Sequence, residues 1–189
     1  TALSVISGVT FGGTAMTAVT SSETTGLKVW LFSLVNPSET TGDIVVTFDS
    51  TTTGDFAILA LYLTDANQTT YNAIDTDSDL TPSDGVEFDI TTTVADCQGM
   101  IVAINSGGSV VFSSIADWTD VIDAAAPTTG QHRFGFFTRD LTSAAQYTPA
   151  AVPGSSTTSQ VGIILAWGPP AAGGSVIPVF MRQYRSRWG

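Results

Sequence analysis

Basic residues are scarce in this 189-residue sequence. Lysine and arginine together number 6 against 17 acidic residues, which gives a net charge of −11. A surface that binds duplex nucleic acid must neutralise phosphates with many basic side chains, so the composition argues against a nucleic-acid partner. The same charge balance argues against binding to an anionic membrane surface.

Cysteine and histidine are nearly absent, since each occurs once, as Cys97 and His132. One thiol cannot form an intrachain disulfide or a multi-cysteine zinc site, and we expect it to be inert. We therefore predict no metal site and no cofactor. Long hydrophobic runs are also lacking: the longest, near Phe56–Leu63 and Val161–Trp167, are far shorter than the ~20 residues that span a bilayer.

What the sequence has in quantity is threonine, at 29 positions, and glycine, at 18. β-Branched residues favour strands, whereas the charged residues that favour surface helices are scarce. Short apolar segments recur between turn residues without helical periodicity. The sequence therefore predicts an all-β fold, an antiparallel β-sandwich or jelly roll of about ten strands.

The strands are predicted where apolar residues alternate or run together between turns. A hairpin over Val9–Val19 turns at Gly12-Gly13, and a second hairpin turn is predicted at Gly107-Gly108. The polar stretch Asp65–Gly85 carries five aspartates and is predicted to be a long loop. The remaining predicted strands are Leu27–Val35, Asp43–Asp49, Asp55–Thr64, Val86–Thr92, Gln98–Asn105, Val110–Ser114, Trp118–Ile122, Gln131–Arg139 and Gln160–Trp167.

The C-terminus differs in composition from the rest of the chain. A proline- and glycine-rich linker begins after residue 168, so we predict a sandwich domain at 1–168 and a linker with a C-terminal docking arm at 169–189. Three of the six basic residues lie in the last eight positions, whereas all 17 acidic residues precede them. The predicted partner-binding residues are Phe180, Met181, Arg182, Tyr184, Arg185, Arg187 and Trp188.

Two placements of this arm remain open at the level of sequence. Arginine and aromatic residues are enriched at protein interfaces, so the arm is predicted to dock on a partner or on a neighbouring subunit. Alternatively, the arm folds back as another strand on its own acidic sandwich.

Other candidate sites are less specific. Asp75, Asp77 and Asp79 resemble the start of a calcium-binding loop, but the pattern fails at Leu80, where glycine is required, and at Val86, where glutamate is required. A solvated acidic loop is the preferred interpretation, and a loose calcium site is the alternative.

The sequence carries no recognisable catalytic motif, and we predict no catalytic residues. His132 lacks the Gly-x-Ser-x-Gly elbow of a serine hydrolase, so a hydrolase ranks last among the functions considered. Trp30 and Trp167 lie in apolar strands and are predicted to be core residues. Trp118, with Tyr71, is the candidate for an exposed sugar-stacking surface in a carbohydrate-binding module.

Three sequence blocks resemble a β-sandwich type found in bacteriophage virion proteins and in some exported bacterial proteins. They are Gly8–Thr17, similar to a Gly-Val-Thr-Tyr-Gly-Gly-x-Ala-Met-Thr hairpin; Phe32–Pro37, similar to a strand ending in Asn-Pro; and Ile44–Phe48, similar to a Val-x-Val-Thr strand. The resemblance covers roughly residues 5–65, and the arginine- and aromatic-rich C-terminus is similar to the endings of such phage proteins. Phe11 replaces the usual tyrosine, and Phe32-Ser33 replaces a pair of aromatics.

The resemblance implies a non-enzymatic structural role in a virion. The preferred expectation is a capsid decoration or cement protein that docks on the major capsid protein or another virion protein, as a homo-oligomer, with a trimer suggested by capsid symmetry. A tail, collar or fibre component is the nearest alternative, and a carbohydrate-binding surface module is the alternative from another class.

Overall fold

The fold is built of strands throughout the part of the chain that the structure describes. The computed structural model describes residues 5–24, 26–35, 37–38, 41–49, 55–63, 66–67, 71–80, 85–107, 110–125, 132–154, 159–169 and 176–184, with the backbone alone for 55–56, 125 and 176–184. The strands are β1 Ile6–Phe11, β2 Thr14–Ala15, β3 Thr17–Thr24, β4 Leu27–Val35, β5 Ile44–Phe48, β6 Asp55–Ala60, β7 Ala73–Asp79, β8 Val86–Glu87, β9 Ile90–Thr91, β10 Cys97–Asn105, β11 Thr119–Ala125, β12 Arg133–Leu141, β13 Gln146–Tyr147, β14 Ala150–Ala151, β15 Gln160–Trp167 and β16 Val176–Tyr184. No helix occurs among these residues, which confirms the predicted all-β class.

Two antiparallel sheets form the centre of the molecule. One has the strand order β3-β4-β16-β6 and the other has the order β11-β12-β10-β15-β7. A single hydrophobic cluster joins them, with Leu27, Val29 and Leu31 of β4 packed against buried residues of β10, β12 and β15. The predicted β-sandwich is therefore confirmed.

Strand β4 is buried on both faces, which explains its nearly continuous apolar sequence. Successive side chains of a strand point to opposite faces. While Leu27, Val29 and Leu31 face the five-stranded sheet, Trp30 and Phe32 pack against a three-stranded sheet of order β2-β1-β5. The three-stranded sheet therefore forms an additional layer on the outer face of the four-stranded sheet.

The five-stranded sheet is also buried on both faces. In β10, Met100 and Val102 belong to the cluster between the two central sheets, while Ile101 and Ala103 belong to a second cluster on the opposite face. That second face is covered by an outer layer, which contains the short ladders β9–β13 and β8–β14 together with residues of the 110–118 segment. The sandwich is thus enclosed by a layer on each side.

The predicted hairpin at Gly12-Gly13 is present between β1 and β2. Both glycines have positive φ, 54° and 81°, a backbone region that side chains disfavour and that a type I′ turn requires at both positions. The second strand is shorter than predicted, because the chain leaves the hairpin at Met16 and continues as β3 beside β4 in the adjacent sheet.

Two sequence-based predictions about loops and turns are wrong. Within the predicted loop Asp65–Gly85, residues Ala73–Asp79 form β7, which pairs with β15 at the edge of the five-stranded sheet. At the predicted turn Gly107-Gly108, where Gly108 lies outside the described residues, Val110 N–H donates to the carbonyl of Gly107 at 2.8 Å. The described residues on either side do not pair as a hairpin, because β10 pairs with β12 and β15 and Phe112 forms an isolated bridge with Pro153.

The C-terminal strand β16 lies in the interior of the four-stranded sheet. Val176–Tyr184 pairs with β4 on one side and, from Val179 onward, with β6 on the other, both antiparallel. This pairing matches the fold-back alternative for the backbone of Val176–Tyr184, while the docking role predicted for residues 169–189 stays a prediction. Hydrogen bonding to two neighbours makes β16 part of the sandwich.

Pro178 shows how this strand accommodates a residue that strands usually exclude. Proline has no backbone N–H and therefore occurs in strands mainly where one side is unpaired. Pro178 lies opposite Ser33 of β4, whereas the ladder with β6 begins only at Val179. The proline thus stands just outside the portion of β16 that has two neighbours.

Gly162 of β15 provides a test of the packing between the five-stranded sheet and its outer layer. A Cβ atom placed on Gly162 would lie 2.6 Å from Phe88 Cζ and 3.0 Å from Val86 Cγ2. We expect Gly162→Ala to lower the free energy of unfolding in urea by about 1–3 kcal/mol through overpacking. In Gly8→Ala the added methyl meets nothing within 4 Å, so stability should change by no more than about 0.5 kcal/mol. Equal losses in both variants would contradict the proposed packing.

Candidate functional site

The predicted partner-binding residues divide between β16 and the chain end. By backbone register, Phe180 lies opposite Leu31 and Leu59, Met181 opposite Trp30, Arg182 opposite Val29, and Tyr184 opposite Leu27. Arg185, Arg187 and Trp188 lie outside the described residues. The structure therefore fixes the backbone of the first four, and partner binding by the set of seven stays a prediction.

Trp118 is not the exposed sugar-stacking residue that the sequence suggested. Its side chain is 8% exposed and belongs to the cluster beneath the outer layer. The second aromatic candidate, Tyr71, is half-buried and makes an edge-on contact with Trp167, with ring centroids 6.4 Å apart. Trp30 and Trp167 are buried, as predicted for core residues.

His132 and Cys97, the two side chains with the greatest catalytic potential, are both buried. Cys97 donates to the carbonyl of Val94 at 3.4 Å and lines a cavity of about 380 Å³ with Asp96 and Asp140. Burial raises the pKa of the Cys97 thiol, and the nearby Asp96 carboxylate raises it further. Both effects disfavour the thiolate, which is the reactive form.

The acidic residues of β7 act as hydrogen-bond acceptors for backbone amides. Asp75 accepts from the N–H groups of Thr76 and Asp89, each at 2.8 Å. Asp77 accepts in the same way from Ser78 and Glu87, also at 2.8 Å. These carboxylates therefore hold β7 to the outer layer, and they explain how so polar a segment is retained as a strand.

No calcium loop is assembled at these aspartates in the part of the chain described. Among the described residues, no group of three or more histidine, cysteine, aspartate or glutamate side chains could hold a metal ion. The same residues contain no helix with the length and hydropathy needed to cross a bilayer.

A polar cleft of about 410 Å³ on the outer layer was not anticipated from the sequence. On one wall, Arg139 of β12 faces Asp117 with 3.4 Å between Nη2 and Oδ2, and its guanidinium carbon lies 5.5 Å from the centre of the Tyr147 ring. Ile115 and Trp118, both buried, form part of its lining. The cleft thus combines a cation, a carboxylate and an aromatic ring over an apolar base.

The polar groups of this cleft are held by hydrogen bonds to the surrounding strands. Tyr147 Oη donates to the carbonyl of Ser143 at 2.8 Å, and Gln146 Nε2 donates to both carboxylate oxygens of Asp89 at 2.8 and 2.9 Å. Asp117 adopts a left-handed conformation with φ 65°, which aspartate tolerates better than most residues. Asp117-Trp118 is the one sequence signal that pointed here; Arg139, Gln146 and Tyr147 come from distant segments.

Asp77→Ala tests the role of the β7 carboxylates. Removing the side chain leaves the N–H groups of Ser78 and Glu87 without their acceptor, so the free energy of unfolding should fall by about 1–2 kcal/mol in urea titrations. Asp43→Ala, at an exposed position, serves as the control and should change stability little. A neutral Asp77→Ala would mean that these hydrogen bonds do not stabilise β7.

Cys97 should be protected from alkylation in the folded protein. Because the thiol is buried and its pKa is raised, iodoacetamide should modify it far more slowly in buffer than in urea. Mass spectrometry of the intact protein over time gives both rates. Comparable rates in the two solvents would contradict the buried position.

Comparison with known proteins leaves the assignment open. No protein family matches the sequence, and no curated protein does. Among solved structures, the fold is weakly similar to the tripod from the baseplate of bacteriophage Tuc2009, with 16% identity over 78% of this chain and 83% of that chain and a TM-score of 0.23. A TM-score this low supports no argument about fold or function.

Proposed function

We propose that this protein is a non-enzymatic structural component of a bacteriophage particle. The observation that carries the proposal is that the three sequence blocks resembling virion proteins meet in one hydrophobic cluster. The residues they contribute to it are Val9, Phe11 and Met16 from the first block, Phe32 and Leu34 from the second, and Ile44 and Val46 from the third.

This convergence gives the resemblance a physical meaning. The apolar residues of the blocks build the contact between the three-stranded sheet and β4, and the two glycines form the turn between β1 and β2. These residues therefore specify a packing unit. A resemblance confined to packing residues supports a structural role better than an enzymatic one.

The exposed strand positions are also suited to an assembly. Several large apolar side chains on strands are exposed, among them Val45 at 53%, Ile58 at 41% and Val121 at 51%. Edge strands are commonly protected by charged side chains, especially lysine, and this chain has only one lysine. Coverage by neighbouring subunits would protect these positions, and the net charge of −11 would keep the free subunit soluble.

Within the particle, we propose a capsid decoration or cement role, with tail, collar or fibre location as the alternative. The basic residues at the chain end would bind the major capsid protein or another virion protein, and subunits would associate as homo-oligomers, with a trimer expected from capsid symmetry. The charge balance supports neither nucleic acid nor membrane as a partner.

The test is to purify phage particles on a density gradient and identify this chain by mass spectrometry. Immunogold labelling then distinguishes capsid from tail. Absence of the protein from particles that contain all major virion proteins would contradict the structural role, whereas labelling confined to the tail would contradict the capsid placement alone.

Two truncations separate the fold from the docking role. A chain ending at Tyr184 keeps all of β16, so its melting temperature should stay within about 2 °C of the full-length value while particle association is lost. A chain ending before Val176 removes the strand between β4 and β6 and should not fold cooperatively. If the chain ending at Tyr184 still associates fully with particles, the interface lies elsewhere in the protein. If this truncated chain does not fold, the last five residues belong to the core.

A further inference from the structure

We propose that the cleft between Asp117, Arg139 and Tyr147 binds a saccharide. This inference is independent of the virion role, since it concerns a different surface and needs no partner protein. It starts from the size of the cleft, about 410 Å³, which lies within the range of roughly 300–1,000 Å³ typical of small-molecule sites.

The charge of the cleft favours a neutral ligand. Arg139 and Asp117 lie 3.4 Å apart and offset each other, so the pair selects neither an anion nor a cation. The side chain of Asp117 is 75% exposed and that of Arg139 is 28% exposed, which leaves both accessible to a ligand. A ligand that can donate to the carboxylate and accept from the guanidinium satisfies both groups.

Hydroxyl groups have this dual capacity, since each both donates and accepts hydrogen bonds. The cleft offers acceptors from Asp117 and from Gln146, whose Nε2 is already engaged by Asp89 and whose Oε1 is the remaining polar atom. Arg139 supplies guanidinium donors, and Thr148 is also among the residues that line the cleft. A polyhydroxylated ring matches this mixture of donors and acceptors, whereas a fatty chain has neither.

The lining is held in place before any ligand arrives, which reduces the entropic cost of binding. Arg139 lies opposite Gly99 in the β10–β12 ladder, and Tyr147 lies opposite Ile90 in the β9–β13 ladder. The Tyr147 hydroxyl is fixed by Ser143 and its ring by Arg139. Trp118, which the sequence suggested as an exposed sugar-stacking residue, instead contributes to the apolar base of this cleft.

The experiment is a titration of the ¹⁵N-labelled full-length protein followed by NMR, with glucose, galactose, rhamnose and N-acetylglucosamine tested separately. We expect at least one sugar to cause saturable shifts confined to the backbone amides of residues 115–118, 139, 146–148 and 150. Sodium phosphate and acetate are tested in parallel. Saturation of the same resonances by either anion, with no response to any sugar, would overturn the proposal in favour of an anion site.

Asp117→Asn is the decisive variant, because asparagine also tolerates the left-handed conformation and the fold should be retained. Loss of a hydrogen bond to a charged acceptor should weaken sugar binding about tenfold. Asp140→Asn, an exposed neighbour of Arg139 that does not line the cleft, is the matched control and should bind normally. Unchanged binding in Asp117→Asn, or no saturable binding of any sugar by the folded protein, would overturn the proposal.

Discussion

The insertion of β16 between β4 and β6 is the pairing on which the rest of the structure depends. It pairs the last described strand with two strands from the first third of the sequence. It also completes the four-stranded sheet, which packs against the five-stranded sheet on one face and against the three-stranded sheet on the other. Contacts of such long sequence separation are slow to form, because the chain loses closure entropy before they stabilise it. The four-stranded sheet can therefore be completed only after Val176–Tyr184 has been synthesised.

Burial of the central strands β4, β10 and β15 on both faces imposes a second constraint, which is close packing at small residues. Gly99 and Gly135 approach aromatic rings so closely that an added Cβ would lie 2.9 Å from Trp118 and 2.8 Å from Phe112. These two glycines allow the outer layer to approach the five-stranded sheet. The same contact positions Trp118 beneath the polar cleft, so the packing of the core and the shape of the candidate site have a common origin.

Sequence reasoning succeeded where a strand is defined by its own residues. β4 and β15 match their predicted bounds, because each is a mostly apolar run of strand length that ends at turn residues. It failed for β7, whose polar alternation resembles a loop until its carboxylates are seen to accept backbone amides of the outer layer. At the C-terminus, composition alone left docking and fold-back open, because the two strands that pair with Val176–Tyr184 lie more than a hundred residues earlier in the sequence.

The cleft lay beyond sequence reasoning for a related reason. Asp117, Arg139 and Tyr147 belong to three segments, and no spacing along the chain relates them. Local geometry brings them together. Trp118 N–H donates to the carbonyl of Ile115 at 3.0 Å, so Asp117 is the third residue of a turn, where aspartate tolerates the left-handed conformation with φ 65°. The turn holds the exposed carboxylate of Asp117 3.4 Å from Arg139, whose backbone is fixed by the β10–β12 ladder. Because an exposed ion pair of this kind contributes little to stability, both groups can exchange it for hydrogen bonds to the proposed ligand at little cost to the fold.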